Sequence, residues 1–85
     1  MNVTQIFEEA LLAYIRCNHD ASATQIVTWE ASERGGEETI VVDYLPLSDH
    51  NSTPPELGRF IWGASLYELM QAVDGYVEAA LINKY

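Results

Sequence analysis

The sequence predicts an α+β fold of order α-β-β-β-α, an antiparallel three-stranded sheet with two helices on one face. Three observations predict it. Apolar residues recur at helical spacing near both ends of the chain. Between them, two stretches of alternating character flank Gly35-Gly36. A short run around Phe60 and Trp62 supplies a third strand.

The first helix is expected over residues 3–18. Val3, Ile6, Phe7, Ala10, Leu11, Tyr14 and Ile15 form its apolar face, and Asn2 with Gln5 makes a capping pair. Glu8 and Glu9 lie toward the positive end of its dipole. Asn18-His19-Asp20 ends it. Residues 24–32 and 38–45 form a hairpin. A two-residue Gly35-Gly36 loop sets Arg34 opposite Glu37, and then Trp29 faces Val42, Val27 faces Tyr44 and Ala31 faces Ile40. Those three apolar pairs share one face of the sheet. Glu30, Asp43, Thr28, Thr39 and Ser32 take the other, so a one-residue slip would destroy the separation. Ile26, Val41, Leu45 and Ile61 fall on the outer face in this register.

Residues 48–58 contain Pro54-Pro55 and read as a loop, and residues 59–63 as the third strand, with Phe60 and Trp62 inward. Ser65 starts the second helix and Glu68 completes a capping box. Leu66, Leu69, Met70, Val73, Val77, Ala80 and Leu81 make its stripe. Gly75 within that helix marks a kink or a close contact.

All 85 residues, 1–85, are one domain's worth of chain, with a thin core. Thirteen acidic residues stand against four basic ones, a net charge of −9. Direct nucleic-acid binding needs cations to displace counterions, and Arg16, Arg34, Arg59 and Lys84 are too few. Anionic membranes are disfavoured for the same reason, and no apolar run is long enough to span a bilayer. The complementary partner is a protein with a basic surface. Cys17 is the only cysteine, which excludes an intramolecular disulfide and fits a reducing compartment. With no secretory signal at the N-terminus, the Asn2 and Asn51 sequons read as chance matches and the protein as cytoplasmic.

Five carboxylates, Glu30, Glu33, Glu37, Glu38 and Asp43, concentrate on the hairpin, with Arg34 the one cation among them. Residues two apart on a strand lie ~6.6 Å apart on one face, comparable with phosphate spacing along a nucleic-acid strand. This array is either a phosphate mimic or a solvated edge that guards solubility. Glu30, Glu33 and Asp43 are expected to point away from the core. Tyr67 and Tyr76, beside carboxylates on the second helix, complete the candidate partner-binding set. Phe7, Tyr14, Trp29, Tyr44, Phe60 and Trp62 are assigned to the core.

Catalytic and metal readings are weaker. His19-Asp20 and Asp49-His50 would meet at one end of the fold and offer two imidazoles and two carboxylates to zinc, against the simpler reading of caps and turns. Cys17 and His19 are two apart on a helix and point in different directions, so they form no nucleophile–base pair. Arg34-Gly35-Gly36-Glu37 places an acid where a phosphate loop needs none. The chain reads as a binding protein without a cofactor rather than as an enzyme.

In element order the chain resembles double-stranded-RNA-binding domains. Ser65-Leu66-Tyr67-Glu68 stands where those place basic residues, so only the topology carries over. In size, charge and element types the whole chain resembles the phage-encoded anti-CRISPR and DNA-mimic inhibitors. That resemblance implies a bacterial cytoplasmic setting and a Cas effector whose basic channel the hairpin acids would occupy. An immunity protein or antitoxin against a basic toxin enzyme uses the same electrostatics. A structural homodimer through the outer sheet face is the third reading.

Overall fold

In a computed structural model that describes residues 2–47 and 56–82, the chain folds as α1 (Val3–Asn18), β1 (Ala23–Arg34), β2 (Glu37–Pro46), β3 (Gly58–Trp62) and α2 (Leu66–Ile82). The strands lie in the order β1-β2-β3, antiparallel throughout, with both helices on one face. Of the expected loop over residues 48–58, residues 48–55 lie outside the described residues, Glu56 and Leu57 are in neither helix nor strand, and Gly58 already belongs to β3.

Local chemistry sets the helix starts. Asn2 Oδ1 accepts the Gln5 N–H at 2.8 Å, and the Asn2 N–H donates to Gln5 Oε1 at 3.1 Å. In α2 the Ser65 hydroxyl accepts the Glu68 N–H at 3.1 Å, and Glu68 Oε2 accepts the Ser65 N–H at 3.1 Å. Both capping boxes satisfy donors that the first turn leaves open. The helices run side by side in the same direction. Val3 and Phe7 share a groove with Leu66 and Met70, and at the far end Asn18 Nδ2 donates to the Tyr76 hydroxyl at 3.1 Å. Neither helix is long and apolar enough to cross a membrane.

The core forms where the helical stripes meet the sheet. Leu11, Ile15, Ile40, Val42, Leu69 and Val73 are its largest fully buried side chains. Leu12, which the periodicity left out, is buried as well. Tyr14 packs edge-on against Phe60, Trp62 and Tyr76, with ring centres 6.0, 6.2 and 5.7 Å away. This aromatic cluster joins both helices to β3.

The hairpin turns at Gly35 and Gly36, with φ of +60° and +86°. That is the backbone of a two-residue primed turn, which glycine adopts without steric cost. Arg34 faces Glu37, Ala31 faces Ile40 and Trp29 faces Val42, as the turn requires. Beyond Trp29 the register departs from expectation. Tyr44 faces Ile26, not Val27, because β1 bulges between Ile26 and Thr28. Trp29 and Ala23 both belong inside, and a strict period of two cannot bring Ile26 in with them. One extra residue between Ile26 and Thr28 shifts the phase to bring Ile26 in, and a second register shift between Ala23 and Gln25 shifts it back for Ala23. Ile26 therefore packs against the core, and Val27 turns outward at 47% exposure. The outer sheet face thus carries Val41, Leu45 and Ile61 as expected, and Val27 in place of Ile26.

Two glycines behave oppositely. A Cβ on Gly58 would collide with the Tyr44 ring, which is 2% exposed and has nowhere to move. A Cβ on Gly75 would meet nothing within 4 Å, so no close contact requires a glycine there. Gly58→Ala should therefore destabilise the fold by ~1–3 kcal/mol. Gly75→Ala should stabilise it by up to about 1 kcal/mol. Chemical denaturation of the two variants checks both signs.

Candidate functional site

The last residues of β1 and the first of β2 project past the end of β3, whose final pairing is Trp62 with Ile40. Residues 31–38 are all exposed. The overhang sets Glu33 directly opposite Glu38, with Glu37 opposite Arg34 next to it. Like charges facing each other across a ladder cost a few tenths of a kcal/mol or more, about 0.2–1 on the scale of cross-strand pairs. Among the described residues none of Glu30, Glu33, Glu37 and Glu38 forms an ion pair.

The five hairpin acids do not form one array. Strand alternation puts Glu30 and Asp43 on the outer face, while Glu33 and Glu38 share the helix-side face with Ala31 and Ile40. Glu33 is exposed because the helices end short of the tip, not because it faces outward. Asp43 is half-buried and engaged: Arg59 Nε donates to its Oδ1 at 3.0 Å. Among the described residues, the concentrated charge without an ion pair is therefore Glu33 and Glu38 on the helix-side face, with Glu37 next to them on the other face opposite Arg34.

Glu68 joins them from α2. An open groove of about 670 Å³ runs between the hairpin tip and the start of α2, with Glu37 and Glu38 on one wall and Ser65 and Glu68 on the other. The sequence marks Glu68 only as a helix cap. Its place beside the tip follows from the short connection Gly63–Ala64, which starts α2 where β3 ends.

The two tyrosines separate. Tyr67 is 69% exposed, and its hydroxyl accepts the Gln71 amide at 3.1 Å. Tyr76 is half-buried and packs on Tyr14 and Asn18, so it joins the helices instead of presenting a surface. Two cations are likewise used internally. Arg16 donates from Nε to the Ala23 carbonyl at 2.6 Å and from a terminal nitrogen to the Thr24 carbonyl at 3.3 Å, tying α1 to β1. Arg59 holds Asp43.

At the opposite end of the fold, His19 Nε2 lies 3.1 Å from the Arg59 carbonyl, and its ring packs on Tyr44 and Phe60. Asp20 accepts hydrogen bonds from the Ser22 hydroxyl at 2.6 Å, the Ser22 N–H at 2.9 Å and the Tyr44 hydroxyl at 2.7 Å. Both residues are thus occupied as caps and buttresses, and no metal-binding cluster exists among the described residues. Asp49 and His50 lie outside them. Cys17 is exposed on α1.

Comparison with protein-family models, curated proteins and solved structures finds no match.

The Asp20–Tyr44 contact makes stability pH-dependent at both extremes. The Ser22 hydroxyl, the Tyr44 hydroxyl and the Ser22 amide hold the Asp20 carboxyl down at about 2 from an ordinary 3.8. A depressed acid stabilises the fold above its ordinary value, and this contribution is lost as pH falls from about 4 toward 2. Burial, then the bond to Asp20, pushes Tyr44 up to about 12 from 10.0. Its contribution is present below pH 10 and is lost as pH rises toward 12. Denaturation midpoints measured across pH should fall in both windows. Asp20→Asn should flatten the acid limb, and Tyr44→Phe should remove the alkaline one.

Proposed function

We propose that this chain is a binding protein that sets its acidic hairpin tip on a basic protein surface of the kind that holds nucleic acid, and blocks that surface by steric and electrostatic competition. One observation carries the reading. Glu33, Glu37 and Glu38 project together beyond the core with no ion pair to any of them among the described residues. A fold chosen only for stability gains nothing from facing two glutamates across a ladder. A partner's Lys and Arg would relieve that repulsion on docking, and the net charge of −9 would speed encounter. A Cas effector, the partner that the anti-CRISPR resemblance implies, belongs to this class.

The test is capture of the partner from the source cell at rising salt, with nucleic acid as competitor. Screening should weaken binding steeply, and excess DNA or RNA should displace the chain. Reversing Glu33, Glu37 and Glu38 to Lys should weaken binding at least about tenfold, mainly through slower association. The control reverses Glu56, Asp74 and Glu78, exposed residues elsewhere, and should retain binding. Equal loss in both triple variants would mean that only net charge matters. Retention in both would remove the tip from recognition. A captured enzyme without a nucleic-acid channel would replace this reading by the immunity one.

A further inference from the structure

We infer that the surface between the hairpin overhang and the first turns of both helices is a docking groove for a basic amphipathic segment of a protein partner, with an apolar anchor flanked by Lys or Arg. This rests on the proposed function and adds the chemistry of the segment recognised. The apolar stripes of both helices run past the core they build. Val3 opens the α1 stripe yet is 77% exposed, and Met70 belongs to the α2 stripe yet is 48% exposed. Together with Phe7, Trp29 and Leu66 they line a hollow of about 180 Å³. That is smaller than the ~300–1,000 Å³ typical of small-ligand pockets. It suits an inserted side chain.

Leu66 also borders the adjoining hollow, which Ala31, Glu33 and Glu38 line. Glu38 in turn borders the groove that holds Glu37 and Glu68. The surface therefore passes from apolar to acidic without a break, and no Lys, Arg or His lines any of the three hollows.

This charge pattern selects the occupant. A second copy of the chain would bring the same carboxylates to the same place and be repelled. Nucleic acid would be repelled as well. A neutral apolar segment would desolvate Glu33 and Glu38 with nothing to pair them. A segment with one apolar face and flanking cations fills the hollow and pairs the acids, as amphipathic helices do in apolar grooves.

The probe is a fluorescein-labelled helical peptide of about 18 residues, with Leu at positions i, i+3, i+4 and i+7 and Lys elsewhere. One comparison peptide has Ser in place of Leu, and another has Gln in place of Lys. Fluorescence anisotropy should show binding of the Leu/Lys peptide well above both. Val3→Gln with Met70→Gln keeps the charge and should weaken it at least about tenfold. If circular dichroism shows that this pair does not fold, Val3→Gln alone serves. Glu33→Gln with Glu38→Gln should weaken binding and flatten its salt dependence. Ile61→Ser on the outer sheet face should change nothing.

The inference is overturned if the Ser/Lys peptide binds as tightly, or if Ile61→Ser costs as much as the Val3/Met70 change. Partner capture separates the two readings. If the Val3/Met70 variant keeps the cellular partner while the hairpin reversal loses it, the groove falls and the proposed function stands. If the hairpin reversal keeps the partner, the proposed function falls whatever the peptide does.

Discussion

Everything on the helix side of the sheet depends on a change of phase in β1 at Val27. Trp29 and Ala31 face the helices on one alternation and Ile26 faces them on the other, while a second register shift between Ala23 and Gln25 returns Ala23 to the inside. The extra residue at Val27 reconciles the two alternations. With the phase reset, Trp29 meets the Phe7 ring edge-on at 5.4 Å and donates its indole N–H to Glu8 at 3.3 Å. Farther along, Tyr44 sits opposite Ile26 and Gly58 and reaches Asp20 at 2.7 Å. The two contacts anchor α1 near its start and just past its end. A small domain with a thin core gains much from such polar and aromatic tethers, because buried aliphatic area alone leaves little margin.

The same arrangement leaves the hairpin tip free of structural duty. The core ends at Ile40, against which Trp62 still packs while its other neighbour Ala31 is already exposed. Past that point no side chain is needed to bury apolar surface, and the strands continue only as a paired ribbon. Unpaired charges are cheap there because water screens them. A like-charge pair across the ladder is still a local cost, and nothing in the packing requires it.

Cations follow the opposite rule. Arg16 binds the carbonyls of Ala23 and Thr24, and Arg59 binds Asp43. Two of the three described arginines thus hold the sheet and α1 together away from the tip, and only Arg34 stays there, opposite Glu37. The resulting charge separation comes from where the few cations are used as much as from the excess of acids. The polarity of the surface and the stability of the sheet are two effects of the same side chains.

Local chemistry determined much of this protein. Both capping boxes, the glycine turn and the pairs Trp29–Val42 and Ala31–Ile40 depend on residues close in sequence, so the α-β-β-β-α order was legible. The bulge was not. A period of two describes one alternation, and only packing against the helices decides where a strand must skip a residue. The acids were legible as a cluster but not as a site. Their division between two faces, the engagement of Asp43 by Arg59 and the arrival of Glu68 beside the tip depend on strand pairing and on where α2 begins. The exposed ends of the two helical stripes had the same limit. Periodicity places Val3 and Met70 on apolar faces, but only the tertiary structure decides which parts of those faces the sheet covers. Burial depends on residues distant in sequence, which a local pattern does not register.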